Sequence, residues 1–241
     1  MPSPTEHSRR DRILDAAEHA FAERGFAGAS LRDIVREAKV NLATVYYYFT
    51  SKDVLMEEVL KRRFGPLRQQ QMDSLSRLER DAQGRPLPVA EILRALLLPS
   101  LELAMTEPAK RQAVARLIGR IVGEPDPATQ SILRTQHAEV RTAFLRALQN
   151  SLPDIPLAGL RWRLEFVVGA LAFIMCNPRR LERETHGACN PVDADQVVAE
   201  MVSFFSPGFR APVAAHNGSP KISTGNASER VSPKRQVRAG A

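Results

Sequence analysis

The chain has 241 residues, a formal net charge of +7 and a pI of about 9.9. Its two cysteines and five histidines show no spacing typical of metal ligands, so no metal site or cofactor is expected and the thiols should be free. No stretch approaches the ~18 uninterrupted apolar residues of a membrane span, and the N-terminus has no apolar signal core. We therefore expect a cytoplasmic protein.

Most of the positive charge lies at the C-terminus. Residues 210–241 hold six Lys or Arg and one Glu, whereas acidic and basic residues nearly balance before position 210. The high pI is therefore poor evidence for DNA binding. Because this segment also has few large apolar residues, we predict a disordered basic tail over residues 210–241, which either solubilises the chain or attracts DNA weakly.

The first helix is predicted over residues 8–24, where apolar residues recur at i, i+3 and i+4. Gly25 should end it in the αL conformation, with Phe26 folding back onto Phe21. This spacing leaves three acidic residues to water, namely Asp15, Glu18 and Glu23.

A second helix is predicted to begin at Ser30. Its hydroxyl can accept a hydrogen bond from the Asp33 N–H, and the Asp33 carboxylate can accept one from the Ser30 N–H, as in a capping box. The buried side of this helix should consist of Leu31, Ile34, Val35 and Ala38. Only a tight turn then separates it from the next helix.

The third helix is predicted to begin at Asn41, a good N-cap, and about two turns fit before Thr50. Val45 and Phe49 would bury one face against the first two helices. The residues that then face away from that core are Leu42, Ala43, Tyr46 and Tyr47. Two helices joined so tightly match the helix-turn-helix layout, in which the second helix enters the major groove.

From Arg12 to Lys52 the sequence resembles the TetR family of bacterial transcriptional repressors. The resemblance lies in the strings RILDAA, FAERGF, SLRDI, AKV, TVYYYF and SK, with matching spacings over more than forty residues, about a fifth of the chain. One departure is Lys39, where the family usually has Gly; an αL lysine there would cost about 1 kcal/mol.

The resemblance implies a set of DNA-contacting residues. These are Arg32, Lys39, Asn41, Leu42, Ala43, Thr44, Tyr46, Tyr47, Tyr48 and Lys52. Arg32 resembles the arginine that reaches a base or phosphate, and a guanidinium can grip guanine at two atoms. A plainer interpretation stays open, in which the tyrosines cover the core and Lys39 and Lys52 are solvated charges.

Beyond Phe64 the chain is predicted to form helices punctuated by Pro and Gly, without the alternation of strands. A fourth helix should run from Ser51 to about Phe64, and Pro66 should kink its exit. Further helices are predicted over residues 67–82, 89–105, 108–122, 127–151, 157–176 and 193–205. The fold class predicted is all-α, with a helix-turn-helix domain over 1–50 and a second helical domain over 51–209.

In the TetR family the second domain binds a small molecule and its last two helices pair with another subunit. The resemblance thus implies a homodimer through residues 157–176 and 193–205. The candidate pocket residues are Leu101, Met105, Leu117, Ile121, Phe144, Trp162, Phe166 and Phe173. Arg116 and Arg120 should face an anionic ligand or Glu124. The second helical domain, here called the body, resembles more weakly the branch of the TetR family that responds to fatty acids or their thioesters. This resemblance implies a small hydrophobic or acyl-type effector.

These features predict a ligand-responsive regulator that binds a pseudo-palindromic operator in double-stranded DNA, most simply a repressor. An enzyme is disfavoured, because no Ser/His/Asp set, Gly-rich phosphate loop or carboxylate pair stands out. The alternative is a helical carrier or scaffold whose helix-turn-helix domain, here called the headpiece, does not bind DNA. Loss of Arg32, Thr44 or Lys52 would favour that alternative, and all three residues are present.

Overall fold

The computed structural model describes residues 4–104, 115–119, 127–176 and 179–213, and all regular secondary structure in these ranges is helical. The helices are α1 Pro4–Gly28, α2 Leu31–Ala38, α3 Leu42–Tyr48, α4 Lys52–Ala82, α5 Val89–Ala104, α6 Pro127–Ser151, α7 Leu157–Cys176, α8 Arg180–Glu184 and α9 Ala194–Arg210. Residues 115–119 form a further helical turn. The all-α prediction is confirmed.

Gly25 interrupts α1 as predicted. Its φ of 69° lies where side chains are disfavoured, although its ψ of 175° differs from the αL value that the sequence suggested. The Phe26 ring folds back to 5.9 Å from the Phe21 ring, centroid to centroid. The short helical turn that follows ends at Gly28 and leads directly to α2.

The α2 cap differs in one detail from the predicted capping box. The Ser30 hydroxyl accepts from the Asp33 N–H at 3.1 Å, as expected. The Asp33 carboxylate, however, accepts from that hydroxyl at 2.7 Å and from Arg24 and Arg36 at 2.6 and 2.5 Å. Two arginines thus hold the carboxylate away from the backbone N–H that a capping box would satisfy.

Lys39 closes α2 in the αL conformation, with φ 53° and ψ 49°. The next residue, Val40, donates its N–H to the Val35 carbonyl at 3.2 Å, which is the long hydrogen bond of a Schellman C-cap. The predicted strain at Lys39 is therefore present. This cap turns the chain sharply, so that Asn41 can start α3 one residue later.

The prediction that Pro66 ends the fourth helix is wrong, since α4 runs 31 residues through Pro66. Phe64 and Leu67 on either side are buried, and Pro66 itself faces solvent. Packing on both sides of the proline therefore holds one helix together, despite the lost backbone hydrogen bond. In the same way α9 passes through Pro207 and beyond its predicted end at residue 205.

Helix α4 connects the two parts of the molecule. It packs on α1 of the headpiece and on α5 and α6 of the body, while α9 packs mainly on α5. The predicted helix over 108–122 lies largely outside the described residues, as does the predicted tail from residue 214 onward. Within the described ranges, no helix combines the length and apolarity needed to cross a membrane.

Candidate nucleic-acid interface and body cavity

One face of α3 is buried and the other is exposed, as the spacing of its apolar residues predicts. Val45 and Phe49 are almost completely buried in the headpiece core. On the opposite face, Tyr46 is 49% exposed and Tyr47 is 73% exposed, and Leu42 and Ala43 are exposed beside them. The headpiece therefore displays an aromatic and apolar surface on a helix that its own core holds in place.

Tyr48 lies between these two environments. Its ring is half-buried and meets the Tyr47 ring edge-on, with centroids 5.0 Å apart and an interplanar angle of 82°. It also lies 6.3 Å from the buried Phe49 ring. Covering the core therefore explains part of the Tyr48 side chain. It does not explain Tyr46 or Tyr47, whose rings are exposed.

Asn41 and Thr44 form the cap of α3. The Asn41 Oδ1 accepts from the Thr44 N–H at 2.8 Å and from the Thr44 hydroxyl at 2.7 Å. Both residues lie at the surface, at the end of α3 that helix-turn-helix proteins direct into the groove. Their first role is structural, because this cap secures a helix of only seven residues.

The predicted cations lie on the elements next to α3 in the chain, with Arg32 on α2, Lys39 in the turn and Lys52 at the start of α4. Arg32 on α2 and Lys39 in the turn are exposed, and no carboxylate in the described ranges pairs with Arg32. The Lys52 ammonium lies 4.5 Å above the centre of the Phe26 ring. A cation at a helix N-terminus opposes the dipole, and here the face of an aromatic ring compensates. An anion is therefore not required to explain Lys52.

Ion pairs fix α1 against α4 behind this surface. Glu18, predicted to face water, is buried and accepts from Arg63 and, at 3.1 Å, from Arg62. Burial lowers the pKa of the Arg63 guanidinium, and the negative charge of Asp15 opposes that shift. Arg10 pairs with Glu58 at 2.5 Å. The spacing of α1 did not reveal this network because its partners come from α4.

A cavity of about 300 Å³ lies in the body between α4, α5, α6 and α7. Its walls include Phe64, Leu67, Leu96, Leu133, Val140, Phe144 and Leu171. Of the predicted pocket residues, Phe144 lines this cavity. Leu101 and Leu117 are buried elsewhere in the core, and Met105 and Ile121 lie outside the described residues.

The remaining predicted pocket residues do not line this cavity. Trp162 and Phe166 lie on the outer face of α7, where they are 61% and 58% exposed. Phe173 is 53% exposed and lines a separate cavity of about 600 Å³ with residues of α8 and α9. The inner face of α7 carries the buried residues Leu160, Leu164, Val167, Leu171 and Met175. The helix is apolar on both sides, so its sequence could not show which side meets a ligand and which is left uncovered.

Polar groups occur at defined points of the cavity wall. The Gln71 amide is buried and donates to the Leu96 carbonyl at 2.8 Å and to the Ser100 hydroxyl at 3.1 Å. Burial lowers the pKa of His137 to about 4, helped by the positive charges of Arg68 and Arg141, so its imidazole is neutral near pH 7. These groups were missed at the sequence level because they lie among apolar residues on separate helices.

Two arginines on α6 contribute to the same wall. Both Arg134 and Arg141 are exposed at its edge. Arg141 lies 4.0 Å from Glu165, and no carboxylate in the described ranges pairs with Arg134. The cavity thus combines apolar walls with net positive charge at its rim.

Arg116 has a partner that the sequence did not suggest. Its guanidinium lies 3.1 Å from Glu23 on α1, while Arg120 and Glu124 lie outside the described residues. Ile118, two residues further on, lines the cavity. One helical turn over residues 115–119 therefore contacts both the headpiece and the cavity.

Two family models match the chain. The model described as "Bacterial regulatory proteins, tetR family" matches residues 13–59. The model described as "Tetracyclin repressor-like, C-terminal domain" matches residues 94–208. Together they cover the headpiece and most of the body.

Individual relatives agree with these models. The HTH-type transcriptional repressor KstR of Rhodococcus jostii is 26% identical over 145 residues, 55% of this chain and 68% of that protein. KstR2 of Mycolicibacterium smegmatis is 41% identical over 54 residues, 22% of this chain, and NemR of Escherichia coli is 30% identical over 87 residues, 36% of it. The chain spans only 26% and 44% of the lengths of those two repressors.

The fold also occurs in solved structures. A TetR-like transcriptional regulator from Rhodococcus sp. RHA1 superimposes with a TM-score of 0.56 at 19% identity, covering 88% of this chain and all of that one. The fold and the exposed face of α3 define a helix-turn-helix headpiece joined to a larger helical body. The chain belongs to the TetR family of bacterial regulatory proteins.

Proposed function

We propose that this protein is a repressor that holds a pseudo-palindromic operator and releases it when a small hydrophobic effector fills the body cavity. The observation that carries the proposal is the exposed face of α3, where Tyr46 and Tyr47 project from a helix otherwise anchored in the core. Large exposed aromatic side chains in a rigid cluster typically mark a binding surface. Residues 1–50 form the DNA-binding domain in this scheme, and residues 51–209 the effector-binding and dimerisation domain.

The cavity favours an acyl-type effector with an anionic end. Its volume of about 300 Å³ is roughly twice that of a cavity that holds benzene, which suits a chain of about a dozen non-hydrogen atoms. The apolar walls suit the chain, and Arg134 and Arg141 suit a carboxylate. His137 is neutral at physiological pH and adds no charge.

A physical connection runs from this cavity to the headpiece. A ligand that displaces Ile118 would also move Arg116 and strain its ion pair with Glu23. Both members of that pair are about two-fifths exposed, so the pair contributes only about 0–1 kcal/mol and can break readily. On α6, Gln136 donates to the Glu57 carbonyl of α4 at 2.9 Å, which gives a second connection.

A second copy of the chain completes the scheme. The exposed residues Trp162, Phe166 and Phe173 on α7, with Phe204 on α9, form an apolar strip suited to an isologous contact. Two headpieces in such a dimer would read half-sites about 34 Å apart. The effector must favour the released form by a few kcal/mol to switch the operator fully.

A gel-shift titration against the DNA that flanks the gene tests the proposal. Arg32→Ala and Tyr46→Ala should each weaken binding about five- to a hundred-fold, the range for loss of one good contact. Arg85→Ala removes an exposed arginine from the loop after α4 and should bind like the parent. Equal retardation of the DNA by all four proteins would contradict the site assignment. No retardation at all would favour the carrier alternative.

A further inference from the structure

The exposed face of α3 lacks the side chains that usually read base edges by paired hydrogen bonds. Its residues are Leu-Ala-Thr-Val-Tyr-Tyr-Tyr, with no Arg, Lys, Asn or Gln among them. Guanine is commonly read by Arg or Lys and adenine by Asn or Gln, each through two hydrogen bonds. This helix therefore cannot use that code from within its own seven residues.

The neighbouring Asn41 does not supply the missing function. Reading adenine requires both its carbonyl oxygen and its amide nitrogen. The Oδ1 atom already accepts two hydrogen bonds from Thr44, at 2.8 and 2.7 Å. Releasing them would uncap α3, so Asn41 is committed to holding the helix.

We infer that α3 recognises the operator half-site mainly through thymine methyl groups, which contact Leu42 and Ala43, beside any contact that Arg32 makes from α2. The inference rests on the proposed function and adds the chemistry that selects the sequence. Both residues are exposed in the first turn of α3, the end of a recognition helix that meets base edges. Thymine alone places a methyl group in the major groove, and apolar side chains are its natural partners.

The nearby tyrosines extend this surface but add little discrimination among bases. Tyr46 and Tyr47 lie one turn further along α3 and offer hydroxyl groups on exposed rings. A single hydroxyl both donates and accepts, so it discriminates poorly among bases and suits phosphate oxygens. The methyl contacts at Leu42 and Ala43 thus become the main source of sequence information on α3.

The experiment begins with selection of sites from a random duplex library by the full-length protein. The selected half-sites should contain adjacent thymines at fixed positions. Deoxyuridine is then placed at each of these thymines, which removes the methyl group and leaves every hydrogen-bonding atom in place. Each replacement should weaken binding about three- to five-fold, the effect expected for one buried methyl. Replacing such a T·A pair with 5-methylcytosine·G should retain more affinity than replacing it with unmodified C·G.

Matched variants assign the effect to Leu42. Leu42→Ala should bring the thymine-to-deoxyuridine affinity ratio near one at its contact position. Leu181→Ala changes an equally exposed leucine on α8 and should keep the parent ratio. Selected sites that bind equally well with deoxyuridine, or a ratio that Leu42→Ala leaves unchanged, would overturn the inference while leaving DNA binding intact. A library from which nothing is enriched would instead contradict the proposed function itself.

Discussion

The buried carboxylate of Glu18 shows how one residue joins two helices. It lies on α1 and receives two guanidinium groups from α4, those of Arg62 and Arg63. A charge this deeply buried is stable only while its partners remain, and its removal leaves Arg63 partly buried without its main counter-ion. The position of the headpiece on the body therefore depends on this carboxylate.

Glu18→Ala should lower the free energy of unfolding by about 3 kcal/mol, the low end for a broken buried pair because the arginines keep some contact with water. Asp15→Ala provides the matched control. It removes a carboxylate 2.9 Å from Arg62 that is 71% exposed, and should cost less than about 1 kcal/mol. Urea unfolding of both variants measures the difference. Equal losses of stability would show that Glu18 has no special role.

Helical periodicity predicts residues of the headpiece better than residues of the body. It placed Leu42, Tyr46 and Tyr47 correctly, because α3 has one apolar core to face. It could not place Trp162 or Phe166, because α7 is apolar on two sides and only tertiary packing decides which side is covered. Sequence periodicity reports that a face is apolar, and it does not report what contacts that face.

Capping residues predicted the helix boundaries more accurately than prolines did. Ser30, Asn41 and Ser51 each cap a helix where predicted, with a side-chain oxygen accepting from the N–H three residues on. Pro66, in contrast, was predicted to end the fourth helix, and α4 continues through it. A cap is a local interaction that the sequence contains in full, whereas the tolerance of a proline depends on buried neighbours from other helices.

The C-caps of α2 and α4 give a matched pair of tests. Lys39 and Gln83 both adopt the αL conformation, with φ of 53° and 50°. Glycine at either position should raise the free energy of unfolding by about 0.5–1 kcal/mol, as relief of strain exceeds the added chain entropy. Lys39→Gly should also weaken operator binding and lower its salt dependence by about one counter-ion, if the ammonium meets a phosphate. Gln83→Gly should leave DNA binding unchanged.

Thermal unfolding and a salt titration of operator binding measure both effects. Equal DNA affinity for the two glycine variants and the parent would assign Lys39 a purely conformational role. A fall in stability at either position would contradict the strain argument.

At the scale of the whole molecule, the apolar strip on α7 predicts self-association. Phe166→Glu places a charge at the centre of this strip and should convert the protein to a monomer, as sedimentation would show. Tyr47→Glu alters an even more exposed aromatic residue in the headpiece and should remain dimeric while losing DNA binding. Trp162 is the sole tryptophan, so its emission should shift to shorter wavelength on association. A Phe166→Glu protein that sediments as a dimer would place the interface elsewhere.

The course of α4 has a consequence for engineering. Its first half completes the headpiece core through Leu55 and Val59, and its second half forms part of the cavity wall through Leu67 and Gln71. A hybrid sensor made by joining a headpiece from another protein at residue 50 would pack that headpiece against the first half of an unrelated α4. A chimera should instead exchange the whole segment from α1 to Phe64 of α4. The ion pairs of Glu18 with Arg62 and Arg63 then stay within the exchanged segment.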